Sequence, residues 1–130
     1  MLERGVEGYL EGARNAGLPD PTALAITVLT SDSTAPEHVG PARLRMAVAA
    51  GCGGIVCSAT DLRSLAEMAP RTKRVVPGIR AAGGAVHDQP RATTPAKALD
   101  AGADVLVVGR AVTLAADPAA AAAELFAEVS

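Results

Sequence analysis

Aromatic side chains are almost missing from this sequence, which has one Phe, one Tyr and no Trp among 130 residues. Single-stranded nucleic acids stack their bases on aromatic rings, and phosphate backbones and anionic lipids attract clustered positive charge. The formal net charge here is −2. The composition therefore argues against a nucleic acid or an anionic membrane surface as the partner.

Cysteines and long apolar runs are also scarce. Cys52 and Cys57 flank a Gly-Gly-Ile-Val run, and no second Cys/His pair is present to complete a metal site. We expect both to be small core residues in a reducing cytoplasm. No window approaches the roughly 18 to 20 apolar residues of a membrane span, and the first residues lack the apolar region of a signal peptide. The sequence thus predicts a cytoplasmic protein.

Apolar residues make up 49% of the chain, and most are Ala, Val or Leu. They form short runs separated by segments of helical periodicity. Gly, Pro and capping residues mark the boundaries. Strands are predicted at residues 24–29, 54–57, 74–77 and 104–108, and the first of them is expected to be buried. Helices are predicted from residue 2 to about 16, from Pro36 to Gly51, from Thr60 to Pro70, from Thr94 to Gly102, and from Asp117 towards the C-terminus. Thr60 is expected to cap the third of these helices. Leu125, Phe126 and Val129 are expected to form the apolar face of the last.

Strands that alternate with helices imply parallel pairing and right-handed crossovers. Two architectures satisfy this order: an open doubly wound sheet or part of a (β/α)8 barrel. A whole barrel typically needs about 200 residues or more, so this chain could supply only half of one. Residues 1–130 are therefore predicted to form a single α/β unit.

In parallel α/β proteins, functional residues collect at the carboxyl ends of the strands. Thr30 and Ser31 follow the first strand and could bind a polar ligand edge, although composition alone favours a loop that caps the next helix. The third strand leads into a long segment, 78–91, which is either a lid over a ligand or a solvated loop. It carries Arg80 and Gln89, while His87 is expected to be a surface histidine.

Gly109 and Arg110 follow the last strand and give the clearest signal. A Gly lets the backbone N–H approach a ligand closely, and an Arg can bind a phosphate with two parallel hydrogen bonds. The next segment could direct further N–H groups at the same anion. Barrel enzymes frequently bind phosphate at their last strands. We therefore interpret this turn as a phosphate-binding site.

Catalytic groups are not evident. The two lysines are Lys73, which precedes a strand at the opposite end of the sheet, and Lys97, which lies within a helix. No Ser/His/Asp, Cys/His or metal-ligand set emerges. From the residues alone, the chain is a phosphate-binding half-site without visible catalytic machinery.

Five short motifs follow one another along the chain: Thr27–Ser31, Gly54–Ala59, Val76–Arg80, Asp88–Gln89 and Val107–Thr113. Together they resemble bacterial orotidine 5′-phosphate decarboxylases, and they occur in the order of that family's fifth to eighth strand segments. The resemblance spans nearly the whole chain. Pro-Gly-Ile-Arg followed by Asp-Gln is fairly specific, whereas Val-Gly-Arg is shared by several phosphate-binding barrels.

The resemblance implies the C-terminal half of a (β/α)8 TIM barrel that converts orotidine 5′-phosphate to UMP and CO2 without metal or organic cofactor. Arg110 and Gly109 would bind the phosphate. Gln89 would reach the phosphate and the pyrimidine, Thr30 would hydrogen-bond the pyrimidine edge, and Pro77 would line its pocket. Arg80 and Asp88 match the motif and receive no role.

The family's catalytic Lys and neighbouring carboxylates belong to the barrel half that this sequence does not contain. The chain alone is therefore expected to be inactive, whether as a truncated gene product, a piece of a split enzyme or a half-barrel that closes as a homodimer. Two other functions stay open. One is a non-catalytic nucleotide-binding half-barrel. The other is a related sugar-phosphate barrel such as a hexulose-phosphate synthase.

Overall fold

The computed structural model describes residues 1–29, 31–32, 34–82 and 92–129. The predicted order of a helix followed by four strand–helix units is confirmed, with one additional short helix, α5. The elements are α1 (Leu2–Asn15), β1 (Leu24–Ile26), α2 (Val39–Ala49), β2 (Gly54–Val56), α3 (Leu62–Met68), β3 (Lys73–Pro77), α4 (Pro95–Asp100), β4 (Val105–Val107), α5 (Arg110–Thr113) and α6 (Pro118–Ala127).

The strands form one parallel sheet in the order β1-β2-β3-β4. Each strand pairs with its neighbour in sequence, and a helix forms every crossover. A doubly wound sheet reverses its strand order at a switch point. No reversal occurs among these four strands, so the open alternative is resolved in favour of a segment of a barrel wall.

Helix ends follow local chemistry that the sequence predicted in part. The side chain of Thr94 accepts a hydrogen bond from Lys97 N, and that of Asp117 accepts one from Ala120 N. Thr60 was expected to cap α3, and this is wrong. Asp61 occupies the N-cap instead and makes no side-chain cap bond. The Thr60 hydroxyl lies 2.6 Å from Ser58 Oγ.

The core lies between the sheet and the helices. Ile55 and Val76 point from the middle strands towards the helices and are almost fully buried. Cys52 and Cys57 are buried free thiols, as predicted. The remaining members of the core cluster are Val6, Leu44, Ala47, Leu62, Leu65, Ile79, Ala98 and Leu125.

The first strand was expected to be buried, and this prediction is wrong for one of its faces. The fourth strand, at the other edge of the sheet, is exposed on the same face. Ile26 on β1 is 57% exposed and Val105 on β4 is 47% exposed. Both point away from the helices, towards the side of the sheet that four strands leave open. A strand is buried on both faces only when the barrel is closed around it.

The last helix also differs from expectation. Leu125, Phe126 and Val129 were predicted to form its apolar face, but only Leu125 is buried, and Phe126 is 70% exposed. All three side chains nevertheless line the same apolar groove beside β4.

Candidate functional site

The ends of β3 and β4 bring two predicted site residues to the same edge of the sheet. Pro77, the last residue of β3, is in register with Val107, the last residue of β4. Gly78 then turns the chain with φ of +82°, a conformation that favours glycine. Gly109 lies two residues beyond Val107. Pro77 and the Gly109–Arg110 turn therefore lie at the same end of neighbouring strands.

Packing does not require a glycine at position 109. A Cβ at this position would meet no heavy atom within 4 Å. Its φ of −116° is outside the left-handed region that favours glycine. The residue is exposed, as is Arg110 after it. A backbone left bare towards open space is suited to close approach by a ligand.

The segment after Gly109 contributes less than predicted. It forms α5, in which Val112 N and Thr113 N donate to the Gly109 carbonyl oxygen at 2.9 and 3.1 Å. Those two N–H groups are engaged within the helix. Backbone contacts to an anion at this turn therefore have to come from the N–H groups of residues 109–111.

The flanks of the long loop are anchored beside Pro77. Ile79 forms a parallel bridge with Thr93, and Arg80 N donates to Thr93 O at 2.9 Å. Ala82 N donates to Glu128 Oε1 at 2.8 Å, which ties this flank to the end of α6. Gln89, His87 and Asp88 lie outside the described residues.

Arg80 is a buried arginine at the end of β3. It is only 7% exposed, and its Nη1 donates to the carbonyl oxygen of Ile79 at 2.7 Å. The sequence marked it as a charge in a long loop without a defined role. The structure places that charge in the interior, next to the strand end, where its interactions are screened less than at the surface.

The end of β1 is held in place by its neighbours. Thr27 is fully buried, and its Oγ1 donates to Val56 O at 3.0 Å. Arg43, on α2, donates from Nη1 to the Thr27 carbonyl oxygen. Thr30, the predicted pyrimidine contact, lies outside the described residues. The end of β1, which precedes Thr30 in sequence, is held by hydrogen bonds with Val56 on one side and Arg43 on the other.

The end of β2 carries a polar cluster that the sequence analysis did not single out. Buried Ser58 donates from Oγ to Asp61 Oδ2 at 3.0 Å, and Thr60 lies beside them both. A Ser-Ala-Thr-Asp run directly after a strand was the available signal. Burial raises the pKa of the neighbouring Cys57 thiol to about 12, with a smaller contribution from the negative charge of Asp61. Cys57 is thus kept neutral and is unsuited to be a nucleophile.

The positions of the two lysines agree with prediction. Lys73 begins β3 at the amino end of the sheet, and Lys97 lies in α4. Neither is at the strand ends that form the site. Within residues 1–29, 31–32, 34–82 and 92–129, no group of three His, Cys, Asp or Glu side chains could hold a metal ion. In the same ranges no helix is long and apolar enough to cross a membrane.

Four parallel strands in sequential order, with helices on one side and polar groups at the carboxyl ends, define a unit of the (β/α)-barrel class. The family model of "Orotidine 5'-phosphate decarboxylase / HUMPS" matches residues 3–125. The chain therefore belongs to the orotidine 5′-phosphate decarboxylase / HUMPS family, and the resemblance noted from its motifs is confirmed.

Known decarboxylases match nearly the whole of this chain. An orotidine 5′-phosphate decarboxylase of Anaeromyxobacter sp. (strain K) is 50% identical over 129 residues, 91% of this chain and 56% of the relative. That of Paramagnetospirillum magneticum is 41% identical over 99% of this chain and 60% of the relative. The crystal structure of the Lactobacillus acidophilus enzyme matches with a TM-score of 0.75 and 31% identity, covering 98% of this chain and 57% of the other.

The chain thus spans somewhat more than half the length of the relatives it matches. It forms four strands of the family's barrel, and it folds like the corresponding part of the solved decarboxylase. The predicted fold class, half of a TIM barrel with four parallel strands and alternating helices, is confirmed.

Proposed function

We propose that this chain provides the phosphate- and pyrimidine-binding half of an orotidine 5′-phosphate decarboxylase, which forms UMP and CO2 in pyrimidine biosynthesis. Its strands would be the fifth to eighth of the barrel, preceded by a helix, α1. The observation that carries the proposal is the exposed Gly109–Arg110 turn, at the strand end where family membership and barrel geometry both favour a phosphate.

Binding would use few residues. Arg110 would bind the phosphate oxygens through its guanidinium, and Gly109 would donate its backbone N–H from the uncrowded side of the turn. Gln89 would contact the phosphate and the pyrimidine, Thr30 would bind the pyrimidine amide edge, and Pro77 would line the pyrimidine pocket. These roles rest on the matching motifs and on the shared strand edge of Pro77 and Gly109.

Catalysis would require groups from the other half of the barrel. In the mechanism that the resemblance implies, a Lys protonates C6 as CO2 departs, beside carboxylates that disfavour the bound substrate. Neither lysine of this chain lies at the carboxyl end of a strand, so no catalytic residue is assigned here. No metal or organic cofactor is needed in this mechanism. The reduced, buried Cys52 and Cys57 favour the cytoplasm as its compartment.

The placement of the lysines also favours a second function, a non-catalytic half-barrel that binds UMP. The two functions differ in one measurement. The chain is assayed for decarboxylation alone and after mixing with the part of the Anaeromyxobacter relative that it does not match. Decarboxylation only in the mixture supports the enzyme. Decarboxylation by the pure chain contradicts the assignment of chemistry to the other half, and UMP binding without any turnover favours the second function.

Titration calorimetry with UMP tests the site itself. A charge-assisted hydrogen bond is worth about 1.5–3 kcal/mol, so Arg110→Ala should weaken binding by roughly 10- to 100-fold. Arg71→Ala is the matched control, because Arg71 is exposed near the opposite end of the sheet, just before β3. Equal affinity of the Arg110 variant and wild type would contradict the phosphate role. Tighter binding of a sugar phosphate without a pyrimidine would favour a hexulose-phosphate type of activity.

A further inference from the structure

The carboxyl end of β1 contains a buried backbone carbonyl group whose hydrogen-bond donor is a side chain on another element. Thr27 directly follows β1 and is fully buried. Its backbone N–H donates to the Val56 carbonyl oxygen at 2.9 Å, and its own carbonyl oxygen accepts from Arg43 Nη1. A buried carbonyl is removed from water, so it needs a donor within the protein. In the described part of the chain, Arg43 is the donor to this oxygen.

Arg43 is placed by the packing of α2 against the sheet. Its neighbour Leu44 is almost fully buried, as is Ala47 one turn further on, and α2 contacts both β1 and β2. Arg43 itself is exposed, and among the described residues its guanidinium forms no ion pair. A hydrogen bond with one charged partner is stronger than one between neutral groups. The contact with Thr27 is therefore a firm link between α2 and the end of β1.

The anchored carbonyl lies just before the predicted pyrimidine contact. Only Val28 and Leu29 separate Thr27 from Thr30 in the sequence. Val28 is buried, and the Leu29 carbonyl oxygen accepts from Asp32 N at 3.0 Å. Because a backbone has only two soft dihedral angles per residue, a shift of the Thr27 carbonyl would be passed along so short a stretch. The position of this stretch thus depends on Arg43.

The proposed phosphate site is remote from Arg43. β1 and β4 are the outer strands of the sheet, and three strand spacings of about 4.8 Å, roughly 14 Å in all, separate them. Arg43 bonds to the residue after β1, whereas Gly109 and Arg110 lie just beyond β4. Groups this far apart, without a shared partner, act nearly independently. An effect of Arg43 on ligand binding should therefore appear at the pyrimidine end alone.

We infer that Arg43 is a positioning residue for the pyrimidine end of the site. Through the Thr27 carbonyl it fixes the backbone at the end of β1, from which the chain leads to Thr30, and it does so without touching the ligand. The inference rests on the proposed function, in which Thr30 binds the pyrimidine edge. It adds a residue sixteen positions from Thr27 in sequence, outside the motifs that resemble the family.

Titration calorimetry of the whole chain with two ligands tests the inference. UMP carries the pyrimidine, and ribose 5-phosphate lacks it. Arg43→Ala should weaken UMP binding by roughly five- to tenfold, because the buried carbonyl loses its charged donor. It should change the affinity for ribose 5-phosphate by less than about twofold. Arg43→Lys retains a charged donor and should recover part of the loss.

Arg45→Ala is the matched control on the same helix. Arg45 is exposed and lines a cavity with Met68 rather than bonding to Thr27. This variant should bind both ligands as wild type does. Circular dichroism checks that each variant is folded.

Hydrogen exchange shows whether Arg43 acts through the backbone. In Arg43→Ala, the amides of Thr27 and Asp32 should exchange several-fold faster than in wild type, whereas the β4 amides should be unchanged. Unchanged exchange together with weakened UMP binding would mean that Arg43 contacts the ligand directly, and this would overturn the positioning role.

Failure of the inference is distinguishable from failure of the proposed function. If wild type binds UMP more tightly than ribose 5-phosphate and folded Arg43→Ala has the same UMP affinity, the inference alone is overturned. An equal loss of affinity for both ligands also overturns it, because the effect would not be confined to the pyrimidine end. If wild type binds UMP no more tightly than ribose 5-phosphate, the pyrimidine role proposed for Thr30 fails, and the inference fails with it.

Discussion

Arg74 and Asp104 join the third and fourth strands just where the fourth begins. Asp104 Oδ2 accepts hydrogen bonds from the Arg74 backbone N at 2.8 Å and from Arg74 Nε at 2.9 Å, and Asp104 N donates to Arg74 O at 3.0 Å. Thirty residues separate the two in sequence. The pair fixes the register that places Pro77 beside Val107 at the opposite end of the strands, and thereby sets the position of the Gly109–Arg110 turn.

Asp104→Asn tests this pair through its pH dependence. The hydrogen bonds from Arg74 lower the pKa of Asp104 below its usual value. A lowered pKa in the folded state stabilises the protein above the unfolded pKa of about 3.9, and this contribution is lost as the pH falls through the folded value. Because the side chain is 40% exposed, we expect a loss of no more than about 1 kcal/mol at pH 7.

Urea unfolding of wild type and Asp104→Asn between pH 7 and pH 3 measures the effect. The difference between the two proteins should be constant above about pH 5 and should shrink at lower pH, as Asp104 in the unfolded and then the folded wild type becomes protonated. A difference that is independent of pH over the whole range would mean that the carboxylate charge is not what stabilises this contact.

Gly109→Ala and Gly54→Ala form a matched pair that separates ligand approach from packing. A Cβ at Gly54 would lie 2.5 Å from Leu24 Cδ2 and 3.0 Å from the Lys73 carbonyl oxygen, whereas one at Gly109 meets nothing within 4 Å. Overpacking at Gly54 should lower the free energy of unfolding by about 1–3 kcal/mol. Gly109→Ala should lower it by no more than about 1 kcal/mol, the range of helix-cap substitutions.

The same two variants should differ in the opposite sense in ligand binding. Under the proposed function, the methyl group of Gly109→Ala hinders the approach of a phosphate and weakens UMP binding by roughly tenfold, about 1.4 kcal/mol. Folded Gly54→Ala should retain wild-type affinity, because Gly54 begins β2 at the amino end of the sheet. Equal UMP affinities for wild type and Gly109→Ala would show that no ligand approaches this turn closely.

Cys57 should be chemically silent in the folded protein. Burial raises its pKa to about 12. Because only the thiolate reacts, the Cys57 side chain should stay unreactive even well above neutral pH. In a Cys52→Ala background, iodoacetamide at pH 8 should modify Cys57 only at the rate at which the protein unfolds. Rapid alkylation without denaturant, as fast as in urea, would contradict the burial.

The same thiol predicts a loss of stability in alkali. The folded state keeps the proton up to about pH 12, whereas the unfolded thiol releases it near its ordinary pKa of about 8.5. Cys57 thus leaves stability unchanged below that value and lowers it as the pH rises further. Cys57→Ala, compared with wild type in the Cys52→Ala background, should remove this component of the decline above pH 9. An unchanged alkaline decline would assign it to other groups.

The sequence predicted much of the fold because helix and strand order depends on local chemistry. Side-chain periodicity separated the elements, and the hydroxyl of Thr94 and the carboxylate of Asp117 cap their helices by reaching only three residues along the chain. The family motifs are likewise short stretches of sequence, and they indicated the barrel. Burial of Cys52 and Cys57 followed from their short apolar surroundings.

Other features depended on contacts that local patterns do not encode. Leu24 and Ile26 have the composition of a buried strand, and their exposure arises from the missing neighbour on the far side of β1. Thr60 looked like a cap, yet its hydroxyl bonds to Ser58. Phe126 was placed with Leu125 on one apolar face; both line the groove beside β4, but only Leu125 is buried. For the candidate site, Gly109, Arg110 and Pro77 were found from sequence, but their proximity was not.

The sequence by itself determined which segments become strands and helices, where several of the helices begin and end, and which residues carry the family's motifs, since these follow from interactions a few residues apart. Only the tertiary structure decided the register of the strands, the burial of Arg80 and the open apolar face from Ile26 to Val105. Those depend on segments about 30 residues apart, such as Arg74 and Asp104, coming together in space.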